Sequence, residues 1–260
     1  MKLEMAKHAL ITGGASGIGL ALAEALNARD VSVTIVDANR DTLDAVLAAG
    51  PSNLRGSLLD VRDREGWARV KTEAEAEFGP VDILVNNAGI APSGYEIADM
   101  DPAHFDQIIA INLTGVFNGV SAFAAEMRAR GVGHIVNTAS MAGITIMPTT
   151  GAYVASKFGV VGFSETLRQE LAPHGVGVST FCPGQMATPL LANTVKLGGK
   201  TKFPVGVVMG GREPADLAPH ILRGIAENAR FILTDPEVWR PMAEERLLAL
   251  RAAFDNDGLA

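Results

Sequence analysis

Seven short runs of apolar and β-branched residues, separated mostly by intervals of helical length, constrain this chain more than any other feature of its sequence. The runs fall at 8–12, 31–37, 54–60, 81–86, 134–140, 176–183 and 231–234. The stretches 17–29, 64–78, 102–130 and 152–173 are long enough to be crossover helices between parallel strands. Alternation of this kind predicts an α/β fold, a doubly wound parallel sheet of seven strands flanked by helices.

Of the 260 residues 48% are hydrophobic and 20% charged, ample for a substantial core. No repeat, low-complexity tract or linker divides the chain, so a single domain over 1–260 is expected. A net charge of −7 gives no basic surface for nucleic acid or an anionic membrane. Residues 1–7 mix Lys2, Glu4 and Lys7 with short apolar residues, unlike a signal peptide. No apolar stretch long enough to span a bilayer is evident, and the lone cysteine, Cys182, reads as a small buried thiol. A cytoplasmic protein is expected. Between Pro183 and Pro214 the rhythm fails over about thirty glycine-containing residues. The segment 185–213, carrying Leu190, Leu191, Phe203, Val207 and Met209, reads as a lid over an oily substrate or as a loop packed on its own domain.

Thr12-Gly13-Gly14-Ala15-Ser16-Gly17-Ile18-Gly19 joins the first strand to the first helix. Such a turn brings the backbone close to a pyrophosphate, and the helix that follows offers unpaired N–H groups and a favourable dipole. The second strand ends at Asp37, where a carboxylate accepts the ribose hydroxyls and repels a 2′-phosphate. NAD is therefore expected over NADP. Asp37 or Asn39 can equally cap the next helix, and Arg40 lies close by.

Tyr153 and Lys157 stand one helical turn apart on the same face. A free phenol, with a pKa of about 10, is a poor base near neutrality, and an adjacent ammonium lowers that value. Ser140, at the end of the fifth strand, can hold a substrate oxygen. By itself each residue has an ordinary structural reading, Tyr153 and Lys157 as an exposed pair and Ser140 as a turn cap. Together they suit hydride exchange between a carbinol carbon and nicotinamide, with Tyr153 moving the hydroxyl proton.

With Thr12 to Gly19, Asn86-Asn87-Ala88-Gly89, Asn112, Ser140, Tyr153-x-x-x-Lys157 and Pro183-Gly184 in this order, the chain resembles the short-chain dehydrogenase/reductase family along nearly its whole length. The resemblance implies a Rossmann-type fold and commonly a homotetramer or homodimer, one interface lying on the helices near 112–130 and 152–173. It implies that Gly13, Ser16, Gly17, Ile18, Gly19 and Asp37 hold the cofactor, with Asp60 and Val61 beside the adenine. Asn87, Ala88 and Gly89 match a turn touching the cofactor, and Pro183, Gly184 and Thr188 the segment around the nicotinamide. Met186 stands where the family often has a β-branched residue that bonds the carboxamide through its backbone. Lys157 would also hold the nicotinamide ribose, and Asn112 would keep a water in a proton relay. The stretch from Phe231 to Trp239 is similar to members acting on bulky aryl or aliphatic alcohols, lignin-type benzylic alcohols included.

The expected activity is NAD(H)-dependent alcohol oxidation or carbonyl reduction on a hydrophobic secondary alcohol or ketone. No metal is called for. The expected substrate wall is Ser140, Met141, Met147, Gln185 and Leu190, with Ile144, Ile146, Met186 and Leu191 near it. Lys196, Lys200, Lys202 and Arg212 are the cations of the long loop that can reach an anionic substrate. Two rival readings are an NADPH-linked ketone reductase and a non-enzymatic dinucleotide-dependent interaction protein.

Overall fold

The computed structural model describes residues 3–204 and 211–255. The expected runs form seven parallel strands: β1 His8–Thr12, β2 Ser32–Asp37, β3 Leu54–Leu58, β4 Ile83–Asn86, β5 Gly133–Thr138, β6 Val176–Cys182 and β7 Phe231–Leu233. Their order across the sheet is β3-β2-β1-β4-β5-β6-β7. β1 pairs with β2 on one side and β4 on the other, so the order reverses there, and a crevice opens beyond the carboxyl ends of the strands.

The helices are α1 Gly17–Asn27, α2 Arg40–Ala49, α3 Arg64–Phe78, α4 Pro102–Ile109, α5 Gly115–Arg130, α6 Gly151–Leu171, α7 Leu190–Lys196, α8 Pro214–Ala226 and α9 Pro236–Asp255. Their starts follow local chemistry. Asn39, Asp63 and Asp101 accept the amides of Thr42, Glu65 and Ala103, which caps α2, α3 and α4. Gly131, at φ 70°, takes the left-handed turn that ends α5.

Each face of the sheet has its own core. Leu22 and Leu26 of α1 meet Leu217, Ile221 and Ile225 of α8 over Ile11 and Ile35. On the other face Trp67 and Val70 of α3 meet Phe123 and Met127 of α5 and Leu167 of α6. Burying a side chain of the size of Phe123 contributes about 2–3 kcal/mol. The backbone of α5 approaches β4 so closely that a Cβ on Gly119 would overlap Asn86 Oδ1 at 2.1 Å. Asn86 in turn donates to Asn137 Oδ1 at 2.8 Å, and Asn137 to Ser164 Oγ at 3.0 Å. This buried ladder holds β4, β5 and α6 in one register beneath the crevice.

The single helix expected over 102–130 is interrupted by a π-helical turn, Ala110–Thr114, centred on Asn112. Wide turns of this kind re-aim side chains and recur at functional sites. By length and composition alone Pro102–Arg130 could cross a bilayer, but half of its most apolar window is buried inside the protein, as in a core helix.

Candidate active site

The crevice begins where β1 and β4 end. Thr12 Oγ1 accepts the amides of Asn87 and Ala88 at 2.8 and 2.9 Å, and Asn87 Nδ2 donates to the Thr12 carbonyl at 3.0 Å. The two turns are thereby laced together. Gly13 sits at φ +61°, and a Cβ on Gly19 would stand 2.2 Å from the Gly13 carbonyl oxygen, so the turn closes only on glycine. Ser16 leads into α1 without a side-chain cap, unlike Asn39, Asp63 and Asp101. The first amides of α1 are left for another acceptor, and Gly13, Ser16, Gly17 and Ile18 all line one cavity of about 920 Å³.

Asp37 lines the same cavity, its carboxylate accepting from the amides of Ala15 at 3.2 Å and Asn39 at 3.0 Å. The capping role falls to Asn39, while Asp37 stays on the cavity wall. Asp60 and Val61 line it too. Arg62 grips Asp60 through both carboxylate oxygens and holds its carboxyl below the usual carboxylate range.

Tyr153 and Lys157 project from the first turns of α6. Lys157 is buried, its Nζ donates to the Thr138 carbonyl at 3.0 Å and lies 5.5 Å from the centroid of the Tyr153 ring. Burial pulls the ammonium down to about 8. The expected lowering of the Tyr153 pKa is not what the free site shows: burial raises the phenol above its ordinary value, and only a hydrogen bond with Ser140 opposes it. The physical reason is that desolvation of the buried phenolate outweighs the one bond that favours it. Ser140 also takes its structural part, its Oγ accepting the Ala142 amide at 3.1 Å and donating to the Pro183 carbonyl at 3.4 Å.

Asn112 is fully buried behind these groups. Its Oδ1 accepts the Ile90 amide at 2.8 Å, and its Nδ2 donates to the Ile90 carbonyl at 3.0 Å and to Ser156 Oγ at 3.4 Å. Ser156 donates onward to the Tyr153 carbonyl at 2.7 Å. A Cβ on Gly89 would stand 3.2 Å from Asn112 Oδ1, a tight fit, and 3.7 Å from Lys157 Nζ, an ordinary contact, so this turn packs against both.

Asn87, Ala88, Gly89, Pro183, Gly184 and Thr188 reach the cavity, as do Met147, Gln185, Met186, Leu190 and Leu191. Gly19 and Asn112 are buried and are not part of the lining. Met141 is a correction: the tight turn Met141–Gly143 directs it into the core with Ala139, Val160 and Cys182, away from the cavity. Ile144 and Ile146 are likewise outside the lining, whereas Trp239 of α9 is inside it. Cys182 is buried and its thiol is pushed up to about 12. The loop after β6 contains the short helix α7 and an isolated bridge between Met186 and Arg212. Val207 and Met209 lie outside the described residues.

Comparison with known families matches residues 7–197 to the short chain dehydrogenases. The chain belongs to that family. Among solved short-chain dehydrogenase-like structures, apo LigO from Sphingobium sp. strain SYK-6 is 32% identical with a TM-score of 0.82, covering 99% of this chain and 93% of that one. A short chain dehydrogenase/reductase from Burkholderia phymatum in complex with NAD is 29% identical with a TM-score of 0.83, covering 93% of each chain. The probable oxidoreductase EphD of Mycobacterium tuberculosis is 39% identical over 188 residues, 71% of this chain. The chain spans about a third of that longer protein's length, 32%.

Proposed function

We propose that this short-chain dehydrogenase is an NAD(H)-dependent oxidoreductase interconverting a hydrophobic or aryl secondary alcohol and its ketone, with Tyr153 as general acid and base. The observation that carries this reading is convergence: Ser140, Tyr153 and Lys157 meet in the cavity that also receives the uncapped start of α1 and the carboxylate of Asp37. A dinucleotide fits those residues. The Gly-rich turn and α1 suit its diphosphate, Asp37 its adenosine ribose, Asp60 and Val61 its adenine. Asn87, Ala88, Gly89, Pro183, Gly184, Met186 and Thr188 border the nicotinamide half. When bound, nicotinamide supplies or accepts the hydride.

Tyr153 gives or takes the hydroxyl proton, and Ser140 holds the substrate oxygen while its charge changes. Lys157, titrating at about 8, exchanges the proton of the phenol near neutrality. Asn112 extends the proton path across Gly89 and fixes the loop after β4. The start of the segment after β6 borders the substrate side, where Gln185, Leu190 and Leu191, with Met147 beside them, suit an apolar ligand. Tolerance toward shape is expected of such a wall. The outer faces of α5 and α6, where Phe117 is 46% exposed and meets Phe163 edge-on, suit a homo-oligomeric contact.

Arg40, which also borders the cavity beside Asp37, favours a second reading as an NADPH-linked ketone reductase. The test is turnover with NAD across aromatic, steroid, sugar and aliphatic secondary alcohols, alongside titration with NADH and NADPH. NAD reduction with apolar alcohols and tighter NADH binding are expected. Tighter NADPH binding would favour the second reading. Intact NADH binding without turnover of any alcohol or ketone would point instead to a non-enzymatic interaction protein.

A further inference from the structure

Of the four cations in the segment after β6, three are engaged away from the cavity. Lys200 pairs with Asp101 at 2.9 Å, Arg212 with Asp235 at 2.6 Å, and Lys202 Nζ lies 4.3 Å from the centroid of the Tyr95 ring. Lys196 has no ion-pair partner among the described residues, and it lines the cavity.

The bonds of α7 decide which end of the cavity Lys196 serves. Thr194 turns inward, its Oγ1 accepting the Ala91 amide at 2.8 Å, and Gln107 Nε2 ties down the Leu197 carbonyl at 2.8 Å. Asn193 Nδ2 donates to Ser16 Oγ at 3.3 Å, so this edge of α7 rests on the Gly-rich turn. Lys196 follows Asn193 by three residues and shares that edge, whereas Leu191 and Val195 lie on the other side of the helix. The Gly-rich turn from Thr12 to Gly19 contains no Lys or Arg, so a diphosphate bound there meets only neutral donors and the dipole of α1.

We propose that Lys196, with Asn193 beside it, is the charged half of the diphosphate site. α7, resting on the Gly-rich turn through Asn193, would then hold the dinucleotide together with that turn. The same short helix carries Leu190 and Leu191 of the substrate wall, so cofactor and substrate sides meet on α7. This rests on the dinucleotide reading above. It removes Lys196 from substrate recognition, leaving the substrate side uncharged and suited to neutral alcohols.

The experiment is fluorescence titration of the full chain with NADH, for the wild type, Lys196→Ala and Lys196→Arg. One exposed ammonium against a diphosphate is worth about three- to tenfold in affinity, a loss expected in Lys196→Ala and recovered in Lys196→Arg. Raising the salt from about 50 to about 500 mM weakens the wild type more than Lys196→Ala, because screening removes an attraction the variant has already lost. Displacement by ADP weakens in parallel, and displacement by adenosine does not change. An unchanged NADH dissociation constant in Lys196→Ala would overturn the proposal. So would a rise in KM confined to alcohols bearing a carboxylate, which assigns the lysine to substrate. Failure of the wild type to bind any dinucleotide would overturn the dinucleotide reading itself, and this proposal with it.

Discussion

Replacing Lys157 by methionine separates what the buried ammonium costs the fold from what it does for the reaction. Folding draws its pKa from the ordinary 10.5 to about 8, which corresponds to about 3 kcal/mol of penalty on the charged form. Below the folded value both the folded and unfolded chains carry the proton, and the whole penalty is present. Between about 8 and 10.5 the folded chain has released its proton while the unfolded chain still binds one, so stability climbs with pH through that window. Methionine escapes the penalty. It also loses the bond to the Thr138 carbonyl, and a buried acceptor left without a partner costs about 1–3 kcal/mol. The variant is therefore expected to match the wild type near neutrality or to exceed its stability by up to about 2 kcal/mol. It should fall behind by a further 2–3 kcal/mol, roughly, as the pH rises from about 7 to about 10. Urea unfolding of both proteins across that range measures the difference directly. Parallel stability profiles would refute the reasoning, because Lys157 would then be titrating as it does in water. Turnover should fall at every pH, since Tyr153 loses its proton partner.

Asp37→Ser removes the carboxylate at the ribose end and should shift the ratio of NADPH to NADH affinity by about tenfold, or ~1.4 kcal/mol, toward NADPH. Titration with both cofactors checks this, and an unchanged ratio would remove Asp37 from cofactor choice. Asn112→Ala strips the Ile90 amide and carbonyl of their partners and should destabilise the fold by about 2–4 kcal/mol. A urea midpoint equal to that of the wild type would show that the loop after β4 does not depend on Asn112.

The strands were legible because each is a short apolar run bounded by a helix-length interval, and the observed sheet differs from the expectation mainly at strand ends. β3 stops at Leu58, which leaves Asp60 free to pair with Arg62. Tyr153, Lys157 and Ser140 were legible as a set because their spacing and their places on the elements bring them to one sheet edge. The π-helical turn at Asn112 was not: Ala110-Ile-Asn-Leu-Thr reads as ordinary helix, and the wide turn is visible only in the backbone. Thr194 and Trp239 were missed because each meets the site across a long stretch of chain, 103 residues in the bond from Thr194 to Ala91. Met141 was misassigned because its place next to Ser140 in sequence gave no sign that the turn would direct it inward. The direction of the Tyr153 shift also depended on three-dimensional detail, namely how deeply the phenol is buried.

The role of Tyr153 is tested most directly by Tyr153→Phe, which deletes one oxygen and keeps the ring. We expect kcat to fall by about a thousandfold or more while the NADH dissociation constant stays within about twofold of the wild type. Turnover retained within about tenfold would contradict the assignment of Tyr153 as the proton-transfer group, and so would dinucleotide binding lost along with activity.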